Sequence, residues 1–558
     1  MDASFHRSVA RRLLMIVRSY AFVLFVLCLL VFCTRLLPLA ISQYPFNNDG
    51  ITESRIASDI VSSGHLTFPD EAFYLDTHSV VTPAYNVLLA FVAVTVGSTP
   101  FEVAQISVTF TSLITVVGVY LLTLYLTRDP KAALCAALVL SLFGTFVFLT
   151  GSTWKESLGI ALMVLLVIAY IRRESRVMLA LEMMILLILP FVHHLVCFLS
   201  FLLVAYLTVW SVLFGLRART LCRRHYVDMA VVAVPLATTL VSYYWLDMDR
   251  LSYFSSVKGL VAISASFVFL SVAVYLLLNR KRHIRFTMSP LPSVVMFSIF
   301  LWDYFNPIFP YSSGYPSSIL LLGIVTGTLL SVAWYGFERT VGSRSIYRSV
   351  PIGLLVPVLT LFVYALISGP TLFSHQILYR SYDFADLSIA LGIGVAVAHL
   401  GNKARRQFAL VVLVMVALLL SFPFGYMSDS LIGVRHDTQA YEVDALTWAD
   451  GAVGNDTYIQ TDERLSYNAR ALFDFAKSPG LPVVLNSYEI PNRAIFCMLE
   501  MSWITHGVNS YPNGYIVVDE DHLLLVLQMS NILYAGGPES DELLIFRTSS
   551  IGMEQTAY

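Results

Sequence analysis

The chain has 558 residues, 57% of them hydrophobic and 13% charged, with a formal net charge of -2 and a mean hydropathy of +0.72. A soluble globular protein carries about a quarter of its residues as Asp, Glu, Lys and Arg, so that class is excluded. A near-neutral chain with no basic patch is not built for nucleic acid, and six scattered cysteines without CxxC spacing exclude a disulfide scaffold and a zinc site.

The first apolar run, RSVARRLLMIVRSYAFVLFVLCLLVF, is too long for a signal peptide and lacks a small-residue cleavage site, so it reads as an uncleaved first span. Apolar runs of roughly 17–25 residues, each able to cross a bilayer, follow it along the chain. Short basic loops mark the cytoplasmic side: Arg128–Lys131, Arg172–Arg176, Arg217–Arg224, Arg280–Arg285, Arg339–Arg348 and Lys403–Arg406. Loops poor in Lys and Arg alternate with them. The segment 81–98 upsets the parity; with Pro83 at its start and Gly97 and Pro100 at its end, it is expected to be re-entrant or oblique. About thirteen spans result, with the N-terminus inside and the C-terminus outside.

The outer loop 42–80 contains YPFNNDGITESRIASDIVSSGHL, in which Ile51, Ile56, Ile60 and Val61 predict an amphipathic helix with Asp49 at its start. Asp49 reads either as a helix cap or as a carboxylate held at the membrane surface for a metal or a reacting hydroxyl. In TGSTWKESLGIALM, Glu156 follows Lys155 in a short outer turn; Ser152, Thr153 and Glu156 also fit a capping box. His193 and His194 interrupt a long apolar stretch at outer-leaflet depth, as a structural pair, a metal ligand or a phosphate donor. Arg380, with His375 and Asp383 beside it, is one of few outer arginines, and suits either an ion pair or a phosphate held bidentately. Asp303 reads as structural.

After the last span, 407–425, the composition changes. Residues 426–558 predict a small outer α/β domain: helices in YEVDALTWAD and DERLSYNARALFDFAKS, and strands in TYIQT, PVVL, YIVVD and ELLIFR. NDT at Asn455 fits a glycosylation acceptor.

Together these segments resemble the GT-C polytopic glycosyltransferases, a group that includes protein O-mannosyltransferases, aminoarabinose transferases and oligosaccharyltransferase catalytic subunits. The resemblance is carried by Asp49 with ASDIVSSGHL, by TPAYNVLLAFVAVTVGSTPFEVAQ and by YLTRDPKAALCAALVLSLFGTFVFLTGSTWKESLGIALM. ALTWADGAVGNDTYIQTDERL and ILYAGGPESDELLIFR are similar to ectodomains of prokaryotic, particularly archaeal, members. It implies a mostly α, GT-C-like membrane domain over 1–425 and an extracytoplasmic domain over 426–558. It also implies an enzyme of the plasma membrane that moves a sugar from a polyprenyl phosphate or diphosphate to a lipid, glycan or protein acceptor outside the cytoplasm.

Carried over by position, Asp49 and Glu156 become the catalytic acids, Arg380 and Lys155 touch the donor phosphate, and His193 or His194 completes the site. In a metal-dependent member, Mg or Mn would sit on Asp49, Glu156, His193 and His194; in a metal-independent one, the acid acts as base. Two departures stand out. The oligosaccharyltransferase signature of two adjacent tryptophans followed by Asp is absent, and the second loop has one acid where that enzyme has two, which argues against transfer to asparagine. The rivals are a transporter or lipid flippase, which calls for inverted repeats and charges near the midplane, and a non-catalytic member of the same fold.

Overall fold

The computed structural model describes residues 3–40, 42–66, 82–219, 223–245, 257–278, 290–308, 316–340, 349–369, 371–401, 403–427, 435–453, 458–476, 478–492, 495–510, 514–538 and 541–548. Part of the outer loop (67–80), residue 81 and the NDT tripeptide at Asn455 lie outside them.

The membrane part is helical: α1 (Ala3–Leu36), α2 (Asn48–Ser63), α3 (Ala84–Val96), α4 (Pro100–Thr127), α5 (Pro130–Leu142), α6 (Gly144–Gly151), α7 (Lys155–Ile171), α8 (Arg176–Val192) and α9 (His194–Ala218). It continues with α10 (Arg223–Trp245), α11 (Val257–Leu278), α12 (Leu291–Phe305), α13 (Ile319–Thr340), α14 (Val350–Gly353), α15 (Leu355–Ile367), α16 (Leu372–Leu400) and α17 (Ala404–Ser421). Among the described residues, 7 helices are long and apolar enough to cross a membrane, or 8 if the bent pair α5–α6 is one span. The chain is a multi-pass membrane protein, but the expected thirteen spans are not all long enough. The shortfall lies in shorter helices: α7 and α8 have 17 residues each and α3 has 13. At 1.5 Å per residue, 13 residues reach about 20 Å, well short of a core of about 30 Å.

α5 and α6 meet at an angle of 67°. Phe143 between them is extended, and Gly144 sits so close to the chain that a Cβ there would lie 1.8 Å from the Ser421 carbonyl oxygen. A break inside a bilayer strands backbone carbonyls. Arg35, fully buried, answers them: its guanidinium donates to the Leu140 oxygen at 3.0 Å, the Ser141 oxygen at 2.6 Å and Thr150 Oγ1 at 3.2 Å. The break and its arginine set the direction in which α6 delivers the turn at 151–156.

The C-terminal unit comprises α18 (Ala440–Val453), β1 (Ile459–Gln460), α19 (Glu463–Phe473), α20 (Leu481–Asn486), β2 (Phe496–Glu500), α21 (Ser502–Thr505), β3 (Val508–Ser510), β4 (Gly514–Ile516), α22 (Glu520–Gln528), β5 (Ser530–Gly536) and β6 (Leu543–Thr548). Its main sheet runs β1-β2-β6-β5, with β1 and β2 parallel and the other pairs antiparallel. Alternation along β6 feeds two cores: Leu544 and Phe546 join Trp503 and Leu523, while Leu543 and Ile545 join Leu446 and Phe475. The expected strand at PVVL is instead helix α20: Gly480 starts it at φ 128, and Pro482 falls in the first turn, where a missing N–H costs nothing. Inside this unit Arg464 forks onto Glu442 (2.8 and 2.9 Å) and Glu500 (both oxygens at 3.0 Å). Burial, with Glu442 nearby, pushes the Glu500 carboxyl upward in pKa even though Arg464 opposes it.

Candidate active site

The polar residues that the sequence singled out come from the starts of α2, α7 and α9 and from the third turn of α16. α2 begins after Asn47, whose side chain accepts from the Asp49 N–H at 2.9 Å. Asn47, not Asp49, is therefore the cap, and Asp49 is half-buried in the first turn of the helix. Asn47 holds φ 93 while 2% exposed. A buried non-glycine residue in that region persists only where its surroundings over-determine it. Here they do. The Phe46 carbonyl accepts from Thr153 N (3.2 Å) and Thr153 Oγ1 (3.0 Å), and the Phe46 N–H donates to Gln105 Oε1 at 3.3 Å. Gln105 Nε2 in turn donates to the carbonyls of Arg35 and Gly151, each at 2.7 Å. Gly50 packs so closely that a Cβ would lie 1.5 Å from Thr153 Oγ1. The turn bearing Asp49 and the turn leading to Glu156 are thus one interlocked piece.

No capping box forms at 152–156. Trp154 is the N-cap of α7 without a side-chain cap bond, because the Thr153 hydroxyl is spent on Phe46. Glu156, in the first turn, goes across the bundle: its Oε1 receives His193 Nε2 at 3.1 Å and Arg380 at 3.3 Å. His193 precedes α9, and its ring also faces the Val196 N–H at 3.5 Å. His194 lies beside it, ring centroids 4.5 Å apart. Glu156 and His193 are nearly enclosed, whereas the Arg380 side chain is 36% exposed.

Lys155 differs from the expectation. Its ammonium is buried on Glu53 Oε1 at 3.1 Å and Thr82 Oγ1 at 3.0 Å, which turns it away from a phosphate-binding role. Glu53 is also held by Asn86, whose amide reaches both its carboxylate and, at 3.1 Å, its backbone oxygen. The sequence reading passed over Glu53 and Asn86. The signal was available for Glu53: it lies four residues after Asp49 on the same helical face.

The expected metal set fits poorly. Among the described residues no three His, Cys, Asp or Glu side chains group as ligands, so Asp49, Glu156, His193 and His194 do not assemble around a cation. The reason is local: the Glu156 carboxylate is satisfied by His193 and Arg380, and Glu53 by Lys155. No step below runs through a metal.

No protein-family model and no curated protein matches the chain. Solved structures do. The oligosaccharyltransferase of Archaeoglobus fulgidus, tethered to an acceptor peptide with the NVT sequon, matches over 87% of this chain and 69% of its own, at 13% identity and a TM-score of 0.55. The same archaeal enzyme, AglB, in complex with an inhibitory peptide and a dolichol-phosphate, matches over 96% and 75%, at 14% identity and a TM-score of 0.55. The chain has the GT-C fold. In this GT-C protein the interlocked turns, the His193 helix start and Arg380 in the third turn of α16 come together around Glu156, and the aromatic rings of Phe46, Phe148, Trp154 and Tyr426 wall the turns, with the His436 ring of the C-terminal unit tilted at 52° and 4.6 Å from Phe148.

Proposed function

We propose that this protein is a membrane glycosyltransferase that takes a sugar from a polyprenyl-phosphate-type carrier and transfers it to an acceptor on the outer face of the membrane, where the C-terminal unit also lies. The observation that carries the reading is the meeting of Glu156 and His193, each at a helix start, with Arg380 from the third turn of α16, beside the turn that presents Asp49, on a GT-C scaffold. The reaction is a displacement at the anomeric carbon. The acceptor oxygen or nitrogen bonds to that carbon, the carbon–phosphate-oxygen bond breaks, and the phosphate departs with the electron pair. Asp49 accepts the acceptor's proton, and Arg380 offsets the charge that grows on the leaving phosphate. Glu156, held by two donors, fixes His193 and Arg380 in place. Correct placement of the two reactants supplies much of the acceleration.

The test is transfer of radiolabelled sugar in membranes supplied with polyprenyl-linked donors. Asp49→Ala and Arg380→Ala are each expected to abolish transfer while the protein still accumulates. Undiminished transfer in both would remove these residues from the site.

A further inference from the structure

α2 and the turn before α7 are fastened together at two points, and Asp49 stands beside both. At the first point Thr153 donates to the Phe46 carbonyl and Gly50 lies against the Thr153 side chain. The second, further along α2, is an ion pair. Glu53 Oε1 receives the Lys155 ammonium at 3.1 Å, with both side chains 7% exposed. A third segment, at the start of α3, holds the pair from the side. Thr82 Oγ1 accepts from Lys155 at 3.0 Å, and the Asn86 amide reaches the Glu53 carboxylate and, at 3.1 Å, the Glu53 backbone oxygen. An ion pair enclosed to this degree is a poor source of stability, because leaving water costs each charge about what the pairing returns. Its best-attested use is to fix the register of the elements that bear it.

That register matters at Asp49. Residues four apart on a helix share a face, so Asp49 lies on the same side of α2 as Glu53, the side that meets the start of α7. Glu156 follows Lys155 there. A side-chain tip stands about 5–6 Å from its helix axis, so a roll of about 10° moves it by about 1 Å. A displacement of about 1 Å at a reacting group costs about 100-fold in rate. The attachment at Thr153 alone would let α2 roll about that point; the ion pair one turn on prevents it.

We infer that Glu53 and Lys155 are positioning residues, whose ion pair fixes the roll of α2 and with it the gap between Asp49 and the cluster of Glu156, His193 and Arg380. This rests on the transferase reading for the role of Asp49. Both side chains are enclosed and engaged with each other, so their effect belongs in kcat and not in KM.

The test uses the purified full chain in nanodiscs and radiolabelled mannose, glucose and N-acetylglucosamine on polyprenyl phosphate, with release of free sugar as the readout. Water then stands in for the acceptor: its oxygen bonds to the anomeric carbon, the phosphate leaves with the bonding pair, and Asp49 takes the proton. Rates are counted per folded molecule. Glu53→Asp keeps the charge and shortens the arm by one methylene; kcat is expected to fall at least about tenfold, with KM for the donor within about threefold of the parent. Glu53→Leu combined with Lys155→Met exchanges the pair for apolar groups of similar size. Its melting temperature should match or exceed the parent's, while kcat falls about 100-fold. If the double variant does not fold, Glu53→Asp decides. A parental kcat in either folded variant, or a loss confined to KM, overturns the inference and leaves the transferase reading standing. No release from any donor by the unaltered protein overturns both.

Discussion

Two charged clusters in this molecule use the same ingredients in opposite ways. In the C-terminal unit, Arg464 is 7% exposed and spends its fork on Glu442 and Glu500, an arrangement closed to anything outside. At the bundle's mouth, Arg380 touches Glu156 through one nitrogen at 3.3 Å and stays 36% exposed. A guanidinium enclosed by the protein holds a fold together; one that stays reachable from outside can meet a ligand. Burial and geometry, not residue type, separate the two roles.

The comparison can be broken from either side. The largest effect is expected at Arg464→Ala, which strands two buried carboxylates and should cost about 3–5 kcal/mol of local stability. Limited proteolysis and thermal unfolding of the full chain would show it as cleavage within 435–548 at lower temperature. Arg380→Ala should lower the transfer rate about 100- to 1000-fold, the range for removing a donor to developing charge, with a melting temperature close to the parent's. If the two substitutions gave the same pattern, the distinction between closed and open clusters would fail. A smaller effect is expected at Asn47. Asn47→Ala loses the cap in a backbone conformation that alanine resists and should cost about 1–2 kcal/mol, whereas Asn47→Gly should stay within a few tenths. The comparison of the two melting temperatures reads this directly.

The smallest effect is one of pH. Burial of His436 lowers its pKa to about 4. The unfolded chain takes up that proton from about pH 6.5 downward, while the folded protein resists it until about 4. Stability is therefore complete above pH 6.5 and is lost as pH falls from there towards 4. A His436→Phe variant should show a shallower acid limb in thermal melts than the parent, and an identical limb would remove His436 from the account.

Much of the candidate site was legible in the sequence because ionisable residues beside apolar spans are costly and so stand out. Glu156, His193 and Arg380 were singled out that way, and the structure brings them within bonding distance of one another. Glu53 stayed hidden because an acidic residue on an amphipathic helix also reads as a solvated face. The Glu53 partner of Lys155 was hidden for the complementary reason: it comes from a distant segment, and charge alone does not say which anion a lysine meets. Arg35, at the end of the first span, looks like an interfacial anchor; only the break between α5 and α6 reveals what it satisfies. In the C-terminal unit the period-two apolar pattern located β6, while PVVL misled because β-branched residues outvoted Pro482.

α2 does not end its contacts at the membrane unit. Arg55, one turn and a half beyond Asp49, bonds the Ala471 carbonyl at 3.5 Å and pairs with Asp474 at 3.6 Å, both at the end of α19. The C-terminal unit thereby grips the very helix that presents Asp49. A shortened chain without residues beyond 426 would lose that grip, so failure of such a truncation to glycosylate would say nothing about whether the C-terminal unit recognises acceptors.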